Sequence, residues 1–410
     1  MVETRSLTFV RTVRAAPEQV LRGFTHPTLL RDWLCNSATS HAIPGGHIFL
    51  SWRQGYQVMG RYTQLDAPRS IAFTWQGAGD PAQTLVSVTV KPAGEDSQVT
   101  IVHSGLGESA SWELQAARWN QDWPEALENL QSVLETGVDL RQARRPRLGI
   151  FMDEVNQKVV ERLRLPGAAG VLIQGTAEGS GAQAVGLQKD DVLVSLNGVP
   201  LLNPTSFEQA LFGLNAGDCP PIEFIRGGQK QAAALTLSSF PTPEYPDSAA
   251  ALAEKVRGLY AEELVQLRQH LAGLSDAEAA AQPSEGEWSV KEIVAHMVLT
   301  DRDYQGWVAD MLNDVVVEDW LQMRPNVTPR IQALTARLPA LEALLDELEL
   351  TLEETAVMIA ALPDSFISQR KHLYRRAAQW ATEVTPIHYS EEHKEQFQAA
   401  IDAAKLENKT

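Results

Sequence analysis

Three histidines in the C-terminal part of the chain have the side-chain type and the helical setting of a transition-metal site. His388 and His393 lie in the segment HYSEEHKEQF, and His296 lies far upstream in WSVKEIVAHM. Imidazole nitrogens ligate zinc and nickel, and three of them on facing helices can hold one ion. Such an ion would activate a thiol or a water molecule. The alternative interpretation is that all three are ordinary polar side chains.

Other catalytic constellations are missing from the sequence. It contains no G-x-S-x-G elbow, no G-x-x-x-x-G-K-[ST] loop, no G-x-G-x-x-G fingerprint and no C-x-x-C pair. The two cysteines, Cys35 and Cys219, fall in different segments of the chain, so a disulfide framework is not expected. The N-terminus has no apolar signal region, and no apolar run has the length of a membrane span. We therefore expect a cytoplasmic protein without a membrane span.

The charge is acidic and unevenly distributed. The chain has a formal net charge of −17, and residues 241–410 contribute 29 of its 52 acidic and 15 of its 35 basic side chains. A surface of this sign argues against nucleic acid as a partner. The acidic excess in the last segment is expected on solvated helix faces.

Two junctions divide the 410 residues. RQARRPR (141–147) is basic and irregular, and FPTPEYPDS (240–248) has three prolines, which favour an extended linker. The patterns on either side differ, so we predict a multidomain α+β chain. Its predicted domains are residues 1–140, 145–240 and 249–410.

The first segment reads as a strand, a helical pair broken at Pro27, five further strands with period-two alternation, and a long helix ending at Gly137. With WLCN, YTQLDAPRSIAFTW and W-x3-W-x6-L-x3-L, it resembles the activator-homologue branch of the START-like (SRPBCC) superfamily. That resemblance implies a helix-grip fold whose cavity binds an apolar small molecule or a client protein. The candidate cavity-wall residues, which could instead be plain core, are Trp33, Trp52, Trp75, Trp119 and Trp123.

The second segment resembles a PDZ domain of the bacterial type, a β-barrel or sandwich, through GVLIQGTAEGSGAQAVGLQKDDVLVSLNGVPL. The resemblance implies a groove in which a peptide adds as an extra strand at an open sheet edge. Backbone N–H groups around RLGI would bind the terminal carboxylate, and the helix SFEQALFGL would line the side-chain pocket. No histidine occurs in that helix, so an apolar C-terminus is the expected ligand. The predicted peptide-binding residues are Arg145, Arg147, Leu148, Gly149, Ile150, Phe207, Ala210, Leu211 and Leu214.

The third segment consists of amphipathic helices, which predicts an all-α four-helix bundle. Ser289 followed by Glu292 is a capping box at the start of the second helix. The stretches PSEGEWSVKEIVAHMVLTD and EHKEQF resemble the DinB-like bundle family. That resemblance implies a divalent metal, zinc or nickel, held by His296 and two histidines of the last helix.

The two C-terminal histidines depart from that family's spacing of four. His388 and His393 are five residues apart, and on a regular helix this separates the side chains by roughly 140°. The pair Thr385-Pro386 could kink the helix and turn His388 inward. We therefore predict a non-enzymatic multidomain binding or adaptor protein, with no catalytic residue assigned. The alternative is a metal-dependent thiol transferase or hydrolase centred on the three histidines.

Overall fold

The computed structural model describes residues 5–315, 327–387 and 393–407. The chain divides into two compact units, one formed by Met1–Gly137 with Pro243–Thr410 and the other by Val138–Thr242. The first unit contains an antiparallel sheet and a set of helices, and the second contains a smaller sheet. The predicted mixed α+β class is confirmed. The domain limits 1–140, 145–240 and 249–410 remain predictions.

The sheet of the first unit is antiparallel throughout, with strand order β1-β7-β6-β5-β4-β3-β2. Alternate residues of its strands are buried, as Val86, Val88 and Val90 are, because successive side chains of a strand point to opposite faces. Its strands are β1 (Arg5–Val13), β2 (Ser37–Ser40), β3 (His47–Ser51), β4 (Gln57–Asp66), β5 (Ser70–Gly77), β6 (Thr84–Ala93) and β7 (Asp96–Leu106).

Three helices accompany this sheet: α1 (Pro17–Arg22), α2 (Pro27–Trp33) and α3 (Ala110–Thr136). α3 buries an apolar face against the sheet, from Trp112 at its start to Leu134 near its end. It ends at Gly137, whose φ of 75° lets its N–H donate to the carbonyl of Val133. The first segment predicts six strands, two short helices and this long helix, and the structure adds the short strand β2.

The helical part of the first unit comprises α8 (Ala249–His270), α9 (Val290–Leu312), α10 (Val327–Arg337), α11 (Leu341–Ala360), α12 (Asp364–Gln369), α13 (Lys371–Gln379), α14 (Thr385–Ile387) and α15 (Lys394–Glu407). α11 packs against both α8 and α9. The predicted capping box is present: the Glu292 carboxylate accepts from the Ser289 N–H at 2.8 Å, and Ser289 Oγ accepts from the Glu292 N–H at 3.3 Å.

Two prolines interrupt these helices. At Pro339 the helical stretch is broken completely, because α10 ends at Arg337 and α11 begins at Leu341. A π-helical turn, Trp380–Val384, lies between α13 and α14. Pro386 has no N–H to donate four residues back, so the preceding turn loses one α-helical hydrogen bond where the helix widens.

The second unit is a sheet of strand order β13-β12-β10-β9-β8, with β11 paired to β10. Its core is apolar and includes Leu148, Ile173, Leu193, Ile222 and Phe224. Its strands are β8 (Ile150–Glu154), β9 (Val171–Thr176), β10 (Val192–Leu196), β11 (Val199–Pro200), β12 (Pro221–Arg226) and β13 (Gln229–Ala234). Its helices are α4 (Leu140–Ala143), α5 (Gln157–Leu163), α6 (Gly181–Ala184) and α7 (Pro204–Ala210).

Candidate functional site

The loop before β8 contains the predicted carboxylate-binding residues. The Leu148 carbonyl accepts from the Ala182 N–H at 3.1 Å, and the Gly149 carbonyl accepts from the Ala177 N–H at 2.8 Å. Both carbonyls are therefore occupied by the domain itself. The N–H groups of Leu148 and Gly149 make no hydrogen bond to any residue that the structure describes. They are donors that a ligand's carboxylate could use.

Gly149 is required at this position for two physical reasons. Its φ is 79°, in the left-handed region that L side chains rarely adopt. A Cβ built on it would also lie 2.1 Å from Ser180 Cβ, which is far inside contact distance. Ser180 Oγ donates a hydrogen bond to the Gly149 carbonyl at 3.2 Å, which holds the loop where it lies closest to Ser180.

β8 is the end strand of its sheet and pairs, within the described residues, with β9 alone. α7 packs beside it. The helix is shorter than predicted and ends at Ala210, and the chain then turns at Gly213 with a φ of 80°. Of the predicted pocket residues, Phe207 and Ala210 belong to the buried core, whereas Ile150, Leu211 and Leu214 are half-buried. The half-buried three are thus the apolar side chains that a ligand could still reach.

The two predicted arginines stack on one aromatic ring. The guanidinium carbons of Arg145 and Arg147 lie 5.9 and 5.6 Å from the ring centroid of Phe240. The backbone of Arg147 is also bridged to Ser238. Both cations are therefore held close to the loop that precedes β8, which suits attraction of an anionic chain end.

In the helical part of the first unit, two of the three predicted metal ligands face each other. The rings of His296 and His393 are buried, with centroids 5.2 Å apart and planes at 83°. Trp288 packs on His296 at 4.8 Å. His393 Nδ1 donates to Gln396 Oε1 at 2.5 Å, so its Nε2 carries the lone pair. The third predicted ligand, His388, lies outside the described residues.

The separation of the two rings is compatible with one shared ion. Two imidazoles bound to one tetrahedral ion at about 2.0–2.1 Å have ring centres roughly 5 Å apart. A hydrogen bond to the other ring nitrogen, such as that from His393 to Gln396, is the usual way to orient a ligating histidine. Among the residues at 5–315, 327–387 and 393–407, no group of three or more His, Cys, Asp or Glu side chains is placed to hold a metal.

The predicted cavity tryptophans pack mainly on one another. Trp75 lies 5.6 Å from Trp123 and 6.2 Å from Trp52, while Trp119 stacks on the His103 ring at 3.8 Å. Trp33 is fully buried elsewhere in the same core and donates its indole N–H to the Gly23 carbonyl at 2.7 Å. Whether ligands enter between these rings remains a prediction.

His103 is a buried polar residue that is not among the site residues predicted from the sequence. Trp123 Nε1 donates to its Nδ1 at 3.2 Å, so Nε2 carries the proton and contacts Thr84 Oγ1 at 2.8 Å. Burial lowers the pKa of His103 to about 3, and the ring is neutral at neutral pH. With both nitrogens satisfied, it positions the surrounding tryptophans and has no lone pair left for base catalysis.

A second cluster joins the sheet part and the helical part of the first unit. The Asp32 carboxylate, on α2, accepts from Arg376 of α13, and His372 Nε2 lies 3.8 Å from its other oxygen. Burial, opposed by Asp32 and reinforced by Arg376, lowers the pKa of His372 to about 4. Lys371 Nζ donates to the Glu135 carbonyl at 2.6 Å. These contacts show that the two parts share a polar, buried interface.

Residues 14–135 match the family model described as Activator of Hsp90 ATPase homolog 1-like protein. Residues 259–393 match the DinB superfamily model. The resemblances stated for the first and third segments are thereby confirmed over these ranges.

Curated relatives match a shorter stretch. Two proteins named "Probable periplasmic serine endoprotease DegP-like" from Pseudomonas putida are 32% and 33% identical over 94 residues, which is 23% of this chain and 20% of theirs. One of the same name from Rhizobium meliloti is 26% identical over 95 residues. The chain therefore spans about a fifth of the length of these relatives.

Solved structures resemble about a third of the chain. The Aha1 dimer of Colwellia psychrerythraea is 21% identical, covering 32% of this chain and 96% of that one, with a TM-score of 0.29. An HSP90 activator from Plasmodium falciparum is 19% identical, covering 32% of this chain and 95% of that one, with a TM-score of 0.27.

In the part of the chain that the structure describes, no helix is both long and apolar enough to cross a bilayer.

Proposed function

We propose that this chain is a multidomain binding protein whose second unit is a PDZ domain that captures the C-terminus of another protein. The observation that carries the proposal is the loop at Leu148 and Gly149, whose N–H groups lack partners among the described residues at the open end of the β8 strand. A bound peptide would continue the sheet along β8 and place its carboxylate on these N–H groups. The 94-residue match to DegP-like proteins, about as long as this unit, supports it.

The half-buried side chains beside β8 specify the expected ligand. Ile150, Leu211 and Leu214 are aliphatic and only half-buried, so the terminal side chain of the ligand should be apolar. Arg145 and Arg147 add positive charge near the loop and should favour an acidic chain end.

The experiment is fluorescence polarisation of the full chain with a library of C-terminal peptides, each made with a free and an amidated C-terminus. We expect apolar-ended free acids to bind and amidation to weaken them about tenfold or more, because a charge-assisted hydrogen bond is lost. Leu214→Glu should abolish binding, whereas Leu202→Glu, an exposed leucine of the same unit, should not. Equal affinity for acid and amide, or no bound peptide at all, would contradict the proposal.

The sheet part of the first unit is proposed to bind an apolar small molecule or a client protein. The family model that it matches is named for activators of a chaperone ATPase, which favours a protein partner. We propose a cytoplasmic location for the whole chain. Fractionation of the producing cells tests it, since the DegP-like relatives are named as periplasmic.

A metal-dependent transferase or hydrolase is the second candidate function, and the facing pair His296 and His393 favours it. Bound zinc or nickel would activate a thiol or water there. Titration of chelator-treated protein with each ion, read by calorimetry, tests it. We expect His296→Ala to remove stoichiometric binding. The control is His47→Ala, which removes an exposed histidine that also has a histidine neighbour, since its ring lies 6.0 Å from that of His41. This variant should leave metal binding unchanged. No binding by the unaltered chain would end this candidate.

A further inference from the structure

A cavity of about 540 Å³ lies in the first unit, where α1 and α2 face the end of α9 and the turn between α12 and α13. This volume is within the range of small-molecule sites, which commonly form between packed parts of a protein. None of the five predicted cavity tryptophans and neither His296 nor His393 lines it. Much of its wall is aliphatic: Leu21, Leu29, Leu65, Leu134, Met311 and Leu373.

Two arginines, Arg22 and Arg370, add charge to this wall, and each side chain is about one-third exposed. Arg22 Nη2 donates to the Asp314 carboxylate, and Arg370 Nη1 lies 3.7 Å from the same oxygen. Arg370 Nη1 also donates to the carbonyls of Met311 and Leu312 at 3.1 and 3.3 Å.

Both guanidiniums keep unused donors. The bonds above involve one terminal nitrogen of each, so Nε and the other terminal nitrogen have no partner among the described residues. A guanidinium offers five N–H donors in a fork that matches a carboxylate. Two arginines sharing the single carboxylate of Asp314 leave a net charge of +1. Glu18 also borders the cavity, but its side chain is exposed, where water screens its charge.

We propose that this cavity binds an organic acid with an aliphatic body. The carboxylate of the ligand would take the unused donors of Arg22 and Arg370, and its chain would lie against the leucines. Burial lowers the pKa of both His26 and His372, so neither imidazole at this wall adds a second positive charge at neutral pH. The site therefore favours a single negative charge over a neutral or cationic head group.

Calorimetric titration of the full chain with octanoate, 1-octanol and octyltrimethylammonium tests the proposal. We expect one octanoate per chain, with octanol about tenfold or more weaker and no binding of the ammonium. Arg22→Gln and Arg370→Gln should each weaken octanoate about tenfold. Arg257→Gln is the matched control, because its guanidinium pairs with Glu353 on the helix surface away from the cavity.

Asp314→Asn is a variant that should strengthen octanoate binding rather than weaken it. It removes the carboxylate that competes with the ligand and raises the net charge of the trio from +1 to +2, so octanoate should bind more tightly. Asparagine tolerates the φ of 65° at this position, so the backbone should be retained. The proposal is overturned if octanol or the ammonium binds as well as octanoate, or if the chain shows no saturable binding. It is also overturned if Asp314→Asn leaves the affinity unchanged or lowers it.

Discussion

Replacing Asp301 by asparagine should stabilise the helical part of the first unit at alkaline pH. Asp301 lies on α9 and is 1% exposed. One carboxylate oxygen accepts from Thr355 Oγ1 at 2.6 Å, and Thr355 in turn accepts from Gln305 Nε2 at 2.9 Å. The other oxygen has no hydrogen-bond partner among the described residues. A charge here is poorly solvated, and burial raises the pKa of Asp301 to about 7.

The size of the effect follows from the pKa difference. The folded pKa of about 7 exceeds the ordinary value of 3.8 by roughly three units, and each unit is worth about 1.36 kcal/mol. Between these values the folded chain holds a proton that the unfolded chain has released, so the free energy of unfolding falls as pH rises. For this carboxyl the loss reaches roughly 4 kcal/mol above pH 7, as an upper bound.

Asp301→Asn keeps an oxygen for Thr355 but cannot ionise. The difference in unfolding free energy between variant and parent should therefore grow by roughly 2.5 kcal/mol from about pH 5 to about pH 8. Urea unfolding followed by circular dichroism at both pH values measures this change. Any effect of the amide on the unfolding free energy that does not depend on pH cancels when the two pH values are compared. Asp402→Asn, an exposed aspartate on α15, is the control. A difference that stays flat over this range would refute the reasoning.

Two further predictions concern buried contacts. Gly149→Ala should destabilise the second unit by more than Gly179→Ala. Both glycines have positive φ, but a Cβ at Gly179 meets nothing within 4 Å, whereas one at Gly149 meets Ser180. Equal urea midpoints of the two variants would contradict this prediction. In the first unit, Thr84→Val should lower the unfolding free energy by about 1–3 kcal/mol, because His103 Nε2 loses its hydrogen-bond acceptor in the buried core. An unchanged urea transition would show that His103 has another partner.

Features set by neighbouring residues were predictable from the sequence. Alternation of apolar side chains predicted six of the seven strands of the first sheet, whereas β2 was missed because its sequence, SATS, has no large apolar residue to alternate. Ser289 with Glu292 predicted the start of α9. The facing pair His296 and His393 was also predicted, but from family resemblance, because no spacing rule relates residues on different helices. The loop at Gly149 was likewise found through resemblance, and the structure adds why a glycine is needed there.

Other features were missed although a local signal existed. His103 shares its strand face with Val99 and Ile101, so its parity already placed it in the core. The predicted helix SFEQALFGL was too long because Gly213 adopts positive φ after the helix has ended, and apolar periodicity continues through that turn.

The ion pairs between the sheet part and the helical part of the first unit could not be predicted from the local sequence. Arg376 and Asp32 are separated by 344 positions, and Arg22 and Asp314 by 292. Arg22, Asp32 and Arg376, each taken in its own helix, and Asp314, just after α9, look like ordinary solvated charges of the surface. Charges become costly to bury only when two surfaces meet, and each then needs its partner, because a buried ion without one is strongly destabilising. The spare donors of Arg22 and Arg370 follow from the same cause: one carboxylate, Asp314, serves two cations, and the surplus charge is what an acidic ligand would neutralise.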